Sequence, residues 1–146
     1  MKSKLLDATD GRRTFMLVFD IGDEVTSGLL NFAVENHLEG SHFTAVGAFE
    51  DVVLGWFDWN AKKYLRNPLP EQVEVVSCIG NIALGPDEKP VLHVHVAVAK
   101  RDGTAWGGHL LEAHARPTLE VVVEESPAHL QRKVDERYGI AFISTA

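Results

Sequence analysis

The chain has 146 residues, 45% hydrophobic and 24% charged, which fits one globular domain and excludes a disordered tail or a fibre. Fourteen basic against twenty-one acidic residues give a net charge of −7, favouring solubility and opposing attraction to phosphate backbones. The single cysteine, Cys78, leaves no internal disulfide and fits a reducing compartment. Residues 1–13 carry no apolar signal core, and no stretch nears the ~18 apolar residues of a membrane span. The expectation is a cytoplasmic protein with no membrane partner.

Residues 1–12 are polar and read as a flexible N-terminus, leaving 13–146 as a single domain. A short apolar run over 15–19, ended by Asp20 and Gly22, reads as a strand. Asp23 then offers an N-cap. Val25, Leu29, Phe32 and Ala33 fall on one helical face, and Gly40 is placed just past the helix end. Strands are predicted over 43–49, 52–58, 73–84, 91–100, 104–114 and 119–124. Asn67-Pro68-Leu69-Pro70 and Gly85-Pro86-Asp87 read as turns between them. Ser126-Pro127 is predicted to open a short C-terminal helix, and 140–143 to form a last strand.

These elements predict an α+β fold, a mostly antiparallel β-sheet with one main helix and the short C-terminal helix. Strands this close in sequence cannot be mostly parallel, because parallel crossovers need about a dozen residues or more. Few helices for so many strands leave a sheet face or edge to cover, so association into dimers or trimers is expected.

The informative segment runs from Val91 to Leu110 and holds His93, His95 and His109. Alternation puts Leu92, Val94, Val96 and Val98 on one face and His93, His95, Ala97 and Ala99 on the other. On the returning strand one face carries Ala105, Gly107, His109, Leu111 and Ala113. Two registers are open. A two-residue Asp102-Gly103 loop opposes His109 to Val96 and turns it away from the other histidines, unless a bulge at Gly107-Gly108 restores parity. A three-residue Arg101-Asp102-Gly103 loop with Gly103 left-handed opposes His95 to His109, with His93 diagonal. The second is preferred, since it alone brings together the small residues of both strands.

Three neutral imidazoles with a fourth position open are a donor set that zinc takes in catalytic sites, and other borderline metals accept it too. A His-x-His pair alone is often no more than a polar strand face. His109 after Gly107-Gly108 on the paired strand is what turns the reading toward a metal site.

His93-x-His95, Gly103, Gly107-Gly108-His109-Leu110, Pro117-Thr118 and Glu120-Val121 resemble the signature of the PPC (plants and prokaryotes conserved) domain. Gly47-Ala48, Glu74 and Gly80-Asn81-Ile82 also match it, so the resemblance runs over about 13–143. It implies an α+β subunit that assembles as a homotrimer, with zinc on His93, His95 and His109. Plant members append AT-hook segments that bind DNA, and prokaryotic ones are often described as DNA-binding. This sequence has no Arg-Gly-Arg-Pro hook core. DNA is thus a partner by resemblance and not by charge.

The site pattern is also distantly similar to acetolactate decarboxylase, which has a His-x-His and a later histidine on zinc. A cupin reading fails, because no glutamate follows in 96–100. The leading expectation is a homotrimeric zinc protein of regulatory or unknown role. The alternative is a zinc-dependent lyase or hydrolase acting on a small carbonyl compound, with Glu74, Arg116 and Glu120 as candidate acids or bases. No Gly-x-Ser-x-Gly elbow or phosphate loop appears. Cys78 reads as a core residue, His114 as facing away from His109, and His37, His42 and His129 as surface. Trp56, Trp59 and Trp106 read as packing or interface anchors. The basic pairs, Arg132-Lys133 among them, read as solvated surface.

Overall fold

The first turn of the chain is Asp10-Gly11, both with positive φ (51° and 75°), joining two strands whose ends pair as Thr9 with Arg12. This two-residue hairpin turn matches the right-handed twist of its strands. It ties down the segment expected to be flexible: β1 (Lys2–Thr9) pairs antiparallel with β2 (Arg12–Phe19). Every residue of β1 is exposed. The strand is therefore held by backbone hydrogen bonds, and no hydrophobic alternation betrays it. The computed structural model describes residues 1–145.

Helix α1 (Val25–Glu35) starts one residue later than Asp23 suggested, because Glu24 is its cap. The Glu24 carboxylate accepts from the Thr26 and Ser27 amides at 3.2 and 2.6 Å. The helix ends at Asn36 rather than running to Gly40. His37 takes the left-handed conformation (φ 52°), with His37 N–H bonding Val34 O and Leu38 N–H bonding Ala33 O. That pair of reversed bonds is the Schellman arrangement, with a histidine where glycine is usual. Val25, Leu29, Phe32 and Ala33 are buried as the periodicity required, and Phe32 meets Phe15 of β2 edge-on at 5.1 Å.

Seven further strands follow: β3 (Gly40–Asp58), β4 (Lys63–Leu69), β5 (Val73–Leu84), β6 (Pro90–Ala99), β7 (Ala105–Glu125), β8 (Gln131–Asp135) and β9 (Ile140–Ser144). Two pairs of predicted strands are in fact single long ones. β3 continues through 50–51 and β7 through the cis Arg116-Pro117 bond, with register shifts where each bends. Strand β4 replaces the expected Asn67–Pro70 turn. It pairs only with β3, and an edge strand tolerates Pro68.

No helix follows Asn36 among the described residues, so the C-terminal helix expected at Ser126-Pro127 is corrected to a loop and a hairpin. The backbone there is engaged elsewhere: Ser126 N–H bonds Gly40 O, Leu130 N–H bonds Glu39 O, and Leu84 N–H bonds Leu130 O. Those long-range bonds draw 126–130 across the sheet and deliver β8 beside the end of β5, where Gln131 pairs parallel with Leu84. Strand β9 then returns antiparallel to β8.

Among the described residues all β pairings but that one are antiparallel, and β3, β5, β6 and β7 hydrogen-bond in a closed circuit. The core lies inside it and under α1, built from residues such as Phe19, Phe43, Phe49, Leu54, Val98 and Leu119. Cys78 is 2% exposed in that core, and burial pushes its thiol up to about 12. It is an inert apolar packer, as read from the sequence.

Candidate metal centre

The β6–β7 turn decides where the histidines go. Lys100 N–H bonds Thr104 O, Gly103 N–H bonds Lys100 O, and Gly103 has φ 82°. The loop is therefore the three-residue one, Arg101-Asp102-Gly103, with the Asp102 carboxylate accepting from the Thr104 amide and hydroxyl. Ala99 opposes Ala105, and His95 faces His109. Alternation along β6 puts His93 on the same outward face, two residues from His95.

Glycine lets β7 lie close enough to its neighbours for this. A Cβ on Gly108 would come within 2.7 Å of Gly55 O, and one on Gly107 within 3.2 Å of Val96 O. A Cβ on Gly80, opposite Val94, would strike the Phe43 ring at 2.4 Å and His93 O at 2.9 Å.

The three imidazoles converge. One nitrogen of each lies within 4.8 Å of those of the other two. His93 Nε2 and His95 Nε2 are 3.2 Å apart, and the ring centroids are separated by 5.0, 5.4 and 5.6 Å. Burial, then the neighbouring histidines and Arg132, pushes His109 down to about 4. Burial first, then Arg132 and His95, lowers His93 as well. Both shifts favour the neutral imidazole, the form in which it can ligate.

Two residues at this site escaped the sequence reading. Tyr64 of β4 stacks on His109 with ring centroids 4.6 Å apart, its hydroxyl 3.4 Å from His109 Nδ1. Arg132 of β8, read as solvated surface, is only 6% exposed and donates to Asn81 Oδ1. The dipeptide Arg132-Lys133 resembled every other basic pair in the chain. A strand there separates Arg132 from Lys133 onto opposite faces, but nothing local in the sequence marks 131–135 as a strand. A cavity of about 460 Å3 opens beside the histidines, walled by Tyr64, His93, His109 and Arg132 and by apolar residues of β6 and β9.

The remaining candidates lie elsewhere. His114 Nδ1 is 2.8 Å from Asp51 Oδ1, and Arg116 pairs with Glu50 at 2.9 Å. Glu74 and Glu120 are exposed and line neither this cavity nor the smaller one by His93 and His95. His42 pairs with Glu124, and His129 with Glu39.

The family model of the Plants and Prokaryotes Conserved domain matches residues 6–127 of this chain. The chain belongs to that family. A solved metal-containing protein from Archaeoglobus fulgidus is 32% identical, with a TM-score of 0.82 over 90% of this chain and 92% of that one. A candidate DNA-binding protein from Ralstonia eutropha JMP134 is 25% identical, with a TM-score of 0.86 over 98% and 96%. The bifunctional protein GlmU of Synechococcus sp. (strain JA-3-3Ab) is 31% identical over 125 residues, or 81% of this chain. The chain spans only 18% of that protein's length. A Staphylococcus aureus protein similar to alpha-acetolactate decarboxylase matches at 14% identity and a TM-score of 0.51, which is a likeness of fold alone. The family match ends at residue 127, so β8, β9 and Arg132 of this PPC-type chain lie beyond it.

Proposed function

We propose that this PPC-domain protein is a metalloprotein that holds zinc on His93, His95 and His109 and works as a homotrimer in the cytoplasm. The convergence of the three imidazoles carries the reading. Zn–N bonds of about 2.0–2.1 Å in a tetrahedral site put ligand nitrogens roughly 3.3 Å apart. The 3.2 Å between His93 Nε2 and His95 Nε2 agrees with that spacing. With three protein donors and a cavity alongside, zinc bound there would keep a position open for an exchangeable ligand. The Archaeoglobus relative's description as metal-containing supports the same reading.

Exposed apolar residues support assembly. Val46 on β3 and Val76 and Ile79 on β5 are each more than half exposed, although those strands are neighbours at the centre of the sheet. The buried, unpaired Cys78 fits a reducing cytoplasm. Duplex DNA, suggested by the Ralstonia relative's description, is disfavoured by the net charge of −7.

The test is metal content per chain on untagged protein, measured by atomic emission beside the His93→Ala/His95→Ala/His109→Ala variant. About one zinc per wild-type chain, and none in a variant with an unchanged circular dichroism spectrum, is expected. Equal metal in both proteins, or no metal even after zinc is offered, would overturn the reading.

A further inference from the structure

Arg132 carries a charge that the fold leaves partly uncompensated. It is 6% exposed; among the described residues its one hydrogen bond goes to the neutral Asn81, and its Nε–H is buried without a partner. A guanidinium stays protonated at any physiological pH, and burying one of its donors unpaired is costly. No aspartate or glutamate is among the described residues lining the cavity it faces. Given a metal ion on the three histidines, two positive centres would share one cavity whose described lining supplies no anion between them. Such an arrangement repels itself unless a ligand supplies the negative charge.

We infer that this cavity is a binding site for a small organic carboxylate, with Arg132 taking the carboxylate and the apolar wall taking its hydrocarbon part. The inference rests on the metal reading above. About 460 Å3 lies within the range of small-molecule sites, roughly 300–1,000 Å3. The planar guanidinium fork matches a carboxylate in geometry and charge. Leu92 of β6 and Ile140 and Phe142 of β9 supply the apolar wall, against which a hydrocarbon chain packs and a strongly hydrated ion such as inorganic phosphate gains nothing. Because β8 brings Arg132 and β9 brings Phe142, the hairpin that follows the family match supplies the charge and part of the apolar wall, while Tyr64, Leu92, His93 and His109 lie within the match.

The experiment is isothermal titration calorimetry on the zinc-loaded full chain, with metal content measured on each sample. Probes are 2-oxobutyrate, butyrate, neutral butyramide and inorganic phosphate. Wild type is expected to bind the carboxylates and not the amide. Arg132→Met, which keeps side-chain length, should weaken carboxylate binding roughly 30-fold or more with metal content unchanged, and Arg132→Lys should recover part of it. Should Arg132→Met not fold, Phe142→Asp at a 42%-exposed position places a repelling charge in the wall and should also abolish binding. Fully metallated wild type that binds no carboxylate, binds phosphate instead, or binds equally well after Arg132→Met overturns the inference. Arg132-dependent carboxylate binding in protein that takes up no metal would support the anion site and sink the metal reading alone.

Discussion

Glu24 joins helix α1 to the strand that carries His109. Its carboxylate accepts from the Ser27 amide, the Thr26 amide and the Thr26 hydroxyl, while the Glu24 backbone bridges to His114 of β7. Burial raises its pKa, but the hydrogen bonds from Ser27 and Thr26 together outweigh that and leave it below the ordinary glutamate value. A folded-state pKa below the unfolded one gives stability that is present above the unfolded value and lost as pH falls through the folded one. Glu24→Ala is expected to cost about 1 kcal/mol at neutral pH in urea titrations, with the difference shrinking in acid. His114 works in the opposite sense. The hydrogen bond with Asp51, helped by the surrounding carboxylates, raises it above 6.5. Its contribution is therefore full below the unfolded pKa and fades as pH rises through the raised one. Both partners are 43% exposed, so His114→Gln should lower stability by less than about 1 kcal/mol at pH near 5.5. Melting curves of the two proteins should coincide at pH near 9, and a gap that persists there would contradict the assignment.

Among the elements, the β6–β7 hairpin makes the site, and glycines set how closely its second strand approaches β3. Gly108→Ala drives a Cβ against Gly55 O at 2.7 Å, a contact with backbone that no side-chain rotation relieves. The expected cost is about 1–3 kcal/mol, with weaker metal retention because His109 is the next residue. Chemical denaturation and metal content read the two effects separately. If stability falls while metal affinity is unchanged, the close approach is not what places His109. This hairpin was legible in the sequence because its information is local: alternation assigns faces, and the small residues of both strands favoured the three-residue loop that the left-handed Gly103 then realises. The helix was legible for the same reason, through the spacing of Val25, Leu29, Phe32 and Ala33. Strand β1 was not, since a fully exposed strand leaves no apolar pattern; the Asp10-Gly11 turn was its one local mark. Nor were Tyr64 and Arg132, because β4 and β8 meet the histidines only through long-range pairing. A Ser-Pro start read as a helix for lack of that same knowledge, the backbone partners being Glu39, Gly40 and Leu84.

For the whole molecule the open question of assembly turns on how a central sheet face is covered. Val46, Val76 and Ile79 expose 62%, 62% and 56% of their surface on strands that are interior to the sheet order. Scattered surface valines need no explanation, but apolar residues clustered on paired central strands mark an interaction surface. Thr44 pairs with Ile79, and Ile79 with His95, which places this surface beside the histidines. Homotrimer formation would bury it, and closed symmetry uses one patch repeatedly without leaving an open edge. Charge sets the condition: each chain carries −7, so association must overcome mutual repulsion and should tighten as salt screens it. Sedimentation velocity is therefore expected to show a three-chain species whose dissociation is suppressed by salt. Val76→Glu/Ile79→Glu, exposed in the single chain and tolerable there, should yield folded monomers by adding charge to the buried face. A wild-type monomer at micromolar concentration, or an unaltered trimer in the variant, would mean that another surface or none holds the chains together.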